Sequence, residues 1–266
     1  METLYREVTE HMVRSGTRIR DRAGRIDDIG VTKAYLTEED IRIERELTGI
    51  IHASHPRHQV YAEEEHDTVL HGEDVWVVDP ISGTQLFISG LPHYAIVASH
   101  VHSGSVQFAA VYDPSLGDLY TAYRGKGAYL NGRRIAVSDT IPTPKVVFNL
   151  SLGWTDAVMA HRMFCELGGF DLYRIPASHA ANDCLVARGA YSGVVALAKD
   201  SFPYFGSSLI IREAGGVFTN LDGDEDISPD DRVFIGGDRA TYRLLKPIVE
   251  RAFASGADSS KAGSGR

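Results

Sequence analysis

The segment Trp76-Val77-Val78-Asp79-Pro80-Ile81-Ser82-Gly83-Thr84 concentrates residue types that can do chemistry. An acid closes an apolar run, a proline and a glycine turn the chain, and two hydroxyls follow where a helix can begin. Free backbone N–H groups at a helix start bind phosphate or sulfate oxygens, aided by the helix dipole. The segment is therefore either an anion site or an ordinary strand-to-helix connection. Further along, His179 directly follows Ser178, and Asp183, Lys199, Asp200 and Tyr204 lie close by in the chain. Imidazole titrates near neutral pH, so His179 is a candidate acid or base, although a lone His or Tyr is more often structural.

The elements that must position these groups follow from periodicity. Residues 3–18 and 38–54 read as helices. The second has Thr37 at its N-cap, Glu38, Glu39 and Asp40 in its first turn, and Ile43, Leu47 and Ile50 at helical spacing. Strands are expected at 59–63, 75–79, 94–101, 106–112 and 118–123, alternating or running apolar between Gly, Pro, Asp and Ser breakers. After about residue 145 strands and helices alternate: strands at 146–150, 193–197 and 232–235, and helices at 156–166, 179–188, 204–213 and 239–253. Helices with an antiparallel sheet, followed by an alternating half, predict stacked layers. No repeat or linker divides 1–253. The small, polar tail 254–266 is expected to be disordered.

With 266 residues and 43% hydrophobic content, the chain can bury a substantial core. Its formal charge of -9, without a basic cluster, disfavours nucleic acid and anionic membranes as partners. The N-terminal stretch carries charges throughout, no later segment has the apolar length of a membrane span, and Cys165 and Cys184 are too few for a disulfide framework. A cytoplasmic protein with reduced thiols is expected.

The Asp79-Pro80-Ile81-Ser82-Gly83-Thr84 turn resembles the D-P-I-D-G-T signature of the inositol monophosphatase family. Other segments resemble that family in order: Val31-Thr32-Lys33 to Glu44, which contains Asp40-Ile41-Arg42-Ile43-Glu44, then Ala62-Glu63-Glu64, Val111-Tyr112-Asp113-Pro114, Gly125 to Gly132, Arg174 with Ala177-Ser178, and Gly206 to Gly216. The resemblance covers about residues 3–253. It implies a five-layered α-β-α-β-α sandwich and, as is usual for the family, a homodimer.

It also implies magnesium chemistry on phosphate esters. Glu63 and Asp79 would supply carboxylates to a first ion, Ile81 a backbone carbonyl and Thr84 its hydroxyl, with Asp40 behind Thr84. Ser82, Gly83, Thr84, Ser178 and Arg174 would hold the anionic group. The plain alternative for Glu63 to Asp67 is a solvated acidic loop. The second metal site departs from the pattern: Ser82 stands for the signature's second Asp, and Phe202-Pro203 for a W-D pair. Proline has no side-chain ligand, and Asp200 or Asp183 would have to reach about 2.0–2.1 Å from the ion to compensate. At most one magnesium is expected.

The substrate side differs as well, with Ala177, Ser192 and Ala196 at positions where the family often has Gly, Asp and a sugar-contacting acid, and with His179, Asp183, Lys199, Asp200 and Tyr204 expected around the altered mouth of the pocket. Three readings stay open. One is an enzyme acting on a small phosphate or sulfate ester, with ordinary inositol phosphate hydrolysis weak or lost. Another is a metal-independent elimination or cyclisation enzyme that expels phosphate or sulfate. The third is a non-catalytic protein that binds a ligand or a partner enzyme.

Overall fold

A computed structural model of the chain describes residues 1–31, 33–64, 72–138, 143–151 and 157–259. Thr32, the Glu65-His66-Asp67 part of the acidic loop and the tail beyond residue 259 lie outside the described residues. The first sheet has seven strands in sequence order: β1 Gln59–Ala62, β2 Asp74–Ser82, β3 Ala95–His102, β4 Ser105–Asp113, β5 Asp118–Tyr123, β6 Gly127–Leu130 and β7 Arg133–Ile135. β1 runs parallel to β2, and every later neighbour pair is antiparallel. The second sheet has the order β11 Val217–Asn220, β12 Val233–Gly237, β10 Gly193–Leu197, β8 Lys145–Leu150 and β9 Asp171–Tyr173.

The helices fill three layers around these sheets. α1 Glu2–Arg20 and α2 Glu38–Ser54 cover the outer face of the first sheet, and α5 His179–Ala187 and α6 Phe202–Glu213 lie between the sheets. α4 Ala157–Glu166 and α7 Arg239–Ser259 cover the outer face of the second. A short α3, Thr84–Ile88, follows β2. The result is the α-β-α-β-α sandwich implied by the resemblance.

Each interface between layers has its own apolar cluster, which is why the helices are amphipathic or buried all round according to their layer. Leu4, Val8 and Met12 of α1 and Ile43, Leu47 and Ile51 of α2 meet Trp76, Val78 and Phe108 of the sheet. There Tyr5 stacks on Phe108 at 4.2 Å between ring centroids and meets Trp76 edge-on at 5.9 Å. Such aromatic pairs add about 0.5–1.5 kcal/mol beyond their buried area. Between the sheets α6 is buried along nearly its whole length, and it approaches the first sheet so closely that a Cβ on Gly206 would meet Val97 at 2.9 Å. The third cluster joins Val195, Leu197 and Ile235 to Met163, Leu245 and Val249.

Boundaries differ from expectation where turn chemistry or tertiary pairing takes over. α6 begins at Phe202 rather than 204, with Pro203 in its first turn, where a missing N–H is harmless. α7 continues to Ser259, so 254–259 are helical rather than disordered. The short strands β9 and β11 were not expected, and they exist because β8 and β12 offer them a ladder. Both cysteines are free, Cys165 exposed and Cys184 buried. Among the described residues no helix is long and apolar enough to cross a membrane.

Candidate functional site

Three helix starts, those of α3, α5 and α6, converge on a cavity of about 450 Å³, together with the carboxyl ends of β8 and β10. Helix starts present N–H groups and a partial positive charge, so this arrangement favours an anion. The wall also carries Lys33, Arg174 and Lys199 on one side of the charge balance and Glu63, Asp79 and Asp200 on the other. The site residues expected from the sequence line this cavity except Asp40 and Asp183, which stand behind its wall.

β2 delivers the central group. Its residues are buried from Val75 to Ser82, as in a strand covered on both faces, and its pairing with β3 shifts register between Asp79 and Ser82. Pro80 lies in that irregular stretch, where a ladder N–H is dispensable. Gly83 then takes the left-handed conformation, with φ 85°, and a Cβ there would come within 3.3 Å of Leu86 and 3.5 Å of the Ser178 backbone N. α3 spans five residues, so its exposed N–H groups matter more than its dipole.

The carboxylates crowd together. Asp79 Oδ1 is buried without a hydrogen-bond partner. Burial holds the Asp79 carboxyl well above the usual carboxylate range, reinforced by Glu63 and Asp200 and opposed by Ser82. Asp200, half-buried, is pushed up to about 6 by burial and by Glu63, with Lys199 opposing. The departure three residues away at Pro203 therefore coexists with an acid, Asp200, that faces the same cavity. Glu63 and Glu64 both accept from Lys33 Nζ, at 2.8 and 2.7 Å.

Behind the cavity, Asp40 joins the N-cap of α2 to Thr84. Its Oδ2 accepts from Thr37 N at 2.9 Å and Thr37 Oγ1 at 2.5 Å, while Thr84 Oγ1 stands 3.3 Å from Oδ1 and 2.8 Å from Ile81 O. One hydroxyl proton serves one acceptor at a time. With a proton on Asp40, that carboxyl donates to Thr84 while Thr84 donates to Ile81. Burial pushes Asp40 up to about 7, opposed by Thr37, so it exchanges a proton near neutrality.

On the facing wall Ser178 caps α5 and donates its hydroxyl to Ser82 Oγ at 2.8 Å, while its backbone N donates to His93 O at 2.7 Å. His179 Nδ1 shares a 2.6 Å hydrogen bond with Tyr204 Oη, and Tyr204 is itself buried and stacked on Phe234 at 4.0 Å. Burial, then Arg174, lowers His179 to about 4. A ring that is neutral at pH 7 forms a hydrogen-bonding wall and is a poor proton source. Arg174 is exposed at the rim.

Sequence reasoning missed Lys33, whose side chain meets carboxylates 30 residues away, and Asn149, which lines the cavity and donates Nδ2 to Asp183 Oδ1 at 3.0 Å. Asp183 is fully buried behind the wall, not at the cavity mouth. Its Oδ2 has no partner, and burial pushes it up to about 8, opposed by Ser207 and Asn149. The folded chain keeps this proton up to about pH 8, whereas an unfolded chain loses it near 3.8, so stability falls as pH rises between those values. Asp183→Asn removes that dependence. In chemical denaturation, the stability of the variant relative to the parent should grow with pH by up to about 1.4 kcal/mol per pH unit.

The residues fit one magnesium ion. Asp79 Oδ1 is an orphaned buried acceptor beside Glu63, and the Ile81 carbonyl has a second lone pair free of Thr84. Among the described residues no three His, Cys, Asp or Glu side chains form a metal cage. Magnesium tolerates this, because it keeps several waters and takes one or two carboxylates. Ser82 and Pro203 stand where the family resemblance places two further carboxylates, and both line the cavity.

A sequence profile described as the inositol monophosphatase family matches residues 4–252. Nus factor SuhB of Escherichia coli K12 is 30% identical over 219 residues, covering 79% of this chain and 81% of that protein. Nus factor SuhB of Pseudomonas aeruginosa is 29% identical over 237 residues, covering 84% and 88%. Among solved structures, the Thermotoga maritima IMPase superposes with a TM-score of 0.82 at 24% identity, covering 96% of this chain and 99% of that one. The inositol monophosphatase from Anabaena gives 0.78 at 21%, covering 94% and 96%. These structural likenesses concern the fold.

Proposed function

The chain belongs to the inositol monophosphatase family, and from that premise we propose that it cleaves a small phosphate or sulfate ester with a single magnesium ion, ordinary two-metal inositol phosphate hydrolysis being weak or lost. One observation carries this reading: the orphaned Asp79 Oδ1 beside Glu63, at the head of a cavity where Ser82 and Pro203 stand in place of the second set of ligands.

Glu63 and Asp79, with the Ile81 carbonyl, would hold the ion, in a family that generally uses magnesium. When bound, it polarises the ester and makes water a better nucleophile. The rest is done by the chain itself. The N–H groups of Gly83 and Thr84 and the hydroxyls of Ser82 and Ser178 bind the anionic oxygens, and Arg174 guards the rim. As the attacking water gives a proton to Thr84 Oγ1, Thr84 passes its own to the ionised form of Asp40 at Oδ1, 3.3 Å away, where burial raises the affinity for it. His179, held neutral against Tyr204, orients the rest of the substrate. We place the protein in the cytoplasm as a homodimer.

A panel of small phosphate and sulfate esters, assayed with magnesium and with a chelator, tests the reading. Magnesium-dependent turnover of at least one ester is expected, with inositol phosphate a poor substrate. Turnover that survives the chelator would instead support elimination or cyclisation. A second reading, a binding role beside other macromolecules, is favoured by the Nus factor name of the relatives. It would be supported by no turnover on any ester together with a stable complex.

A further inference from the structure

Lys33 Nζ donates to Glu63 Oε1 at 2.8 Å and to Glu64 Oε1 at 2.7 Å, and the three side chains are 27%, 19% and 3% exposed. The same lysine lines the cavity with Asp79, Ser82 and Arg174. Glu63 is thus claimed twice, by an ammonium in the free protein and by the ion that it would help to hold. A carboxylate cannot give its full charge to both, so the two cations compete.

The segment that carries Lys33 is pinned near its ends. Asp28 accepts from Gly30 N at 2.9 Å, from Leu36 N at 3.1 Å and from Tyr35 N at 3.2 Å, and Ile29 N donates to Leu36 O at 2.8 Å. A flexible four-carbon stem projects from this pinned turn, and its compact ammonium can change partners without moving the backbone. We propose that Lys33 is a built-in cation of the carboxylate site: its ammonium holds Glu63 until magnesium takes that carboxylate, and the displaced ammonium then binds the anionic group of the substrate. This makes Lys33 a substrate-binding residue as well as a brake on metal binding. It rests on the single-magnesium reading above.

Calorimetric titration of magnesium chloride into the wild type and Lys33→Met, each with and without inorganic sulfate, tests the proposal. Lys33→Met should bind magnesium about tenfold more tightly, the size expected for one partly buried ion pair. Its magnesium-loaded form should bind sulfate about tenfold more weakly, and Lys33→Arg should restore sulfate binding at least in part. Equal or weaker magnesium binding in Lys33→Met would overturn the role of Lys33 alone. No magnesium binding in either protein would instead overturn the single-magnesium reading, and this proposal with it. Should Lys33→Met fail to fold, the wild type still decides through its reactivity toward an amine-acylating reagent read by mass spectrometry. Magnesium should speed acylation of Lys33 several-fold relative to Lys199, and sulfate should slow it again. A rate that magnesium leaves unchanged or lowers would overturn the proposal.

Discussion

Converting Ser82 and Pro203 together to aspartate is expected to create a second magnesium site and to raise ester hydrolysis by about three orders of magnitude. A two-metal centre clamps the attacking and leaving oxygens and supplies several kcal/mol, and each 1.36 kcal/mol is tenfold in rate. Both residues are buried and line the cavity with Asp79. An aspartate at 82 can still accept the Ser178 hydroxyl that now bonds Ser82 at 2.8 Å. Without metal the double variant should be less stable than its parent, because two further acids join a group whose burial and mutual repulsion already raise Asp79 and Asp200. Magnesium should reverse this, contributing about 2.7 kcal/mol at a hundred times its Kd. Melting temperature and turnover, each measured with and without magnesium, check it. A melting temperature and a rate no more responsive to magnesium than the wild type's would mean that these two positions are not what dismantles the second site.

Asp79→Asn should lower magnesium-dependent turnover about a thousandfold, by removing one of the two carboxylates that hold the ion. The same substitution should stabilise the metal-free protein at neutral pH. Asp79 is buried, and its folded-state affinity for a proton is well above that of an exposed carboxyl. Stability is therefore lost as pH rises above the ordinary carboxylate range, and a neutral amide of the same shape avoids that loss. Activity should fall while stability rises, opposite signs that a merely structural residue would not give. Steady-state rates and denaturation at pH 7 in a chelator measure both. Parallel losses of activity and stability would count against a ligand role for Asp79.

Much of the layered fold was legible because long elements carry their own periodicity. Ile43 and Leu47 mark the inner face of α2 as expected, although Ile51 and not Ile50 completes it, and Thr37 with Asp40 marks its start by a reciprocal cap. β9 and β11 were not legible, since three or four residues hold no pattern apart from the strand that pairs with them. The site shows the same division. The Asp79 to Thr84 turn could be found from its residue types, and the contact of Asp40 with Thr84, 44 residues away, only through the family resemblance. Lys33 opened a segment that resembles the family but took no role from it, because a single lysine in a loop gains meaning only from the carboxylates that the fold brings to it. Burial was equally invisible. It leaves His179 neutral against Tyr204, places Asp183 behind the wall rather than at the mouth, and moves Asp40 toward neutrality.

Counting magnesium ions by calorimetry on the wild-type chain, with and without inorganic phosphate or sulfate, tests the central claim most directly. One ion per chain is predicted, bound more tightly when the anion is present and lost in Asp79→Asn. Two ions per chain, or anion binding that is indifferent to magnesium, would contradict it.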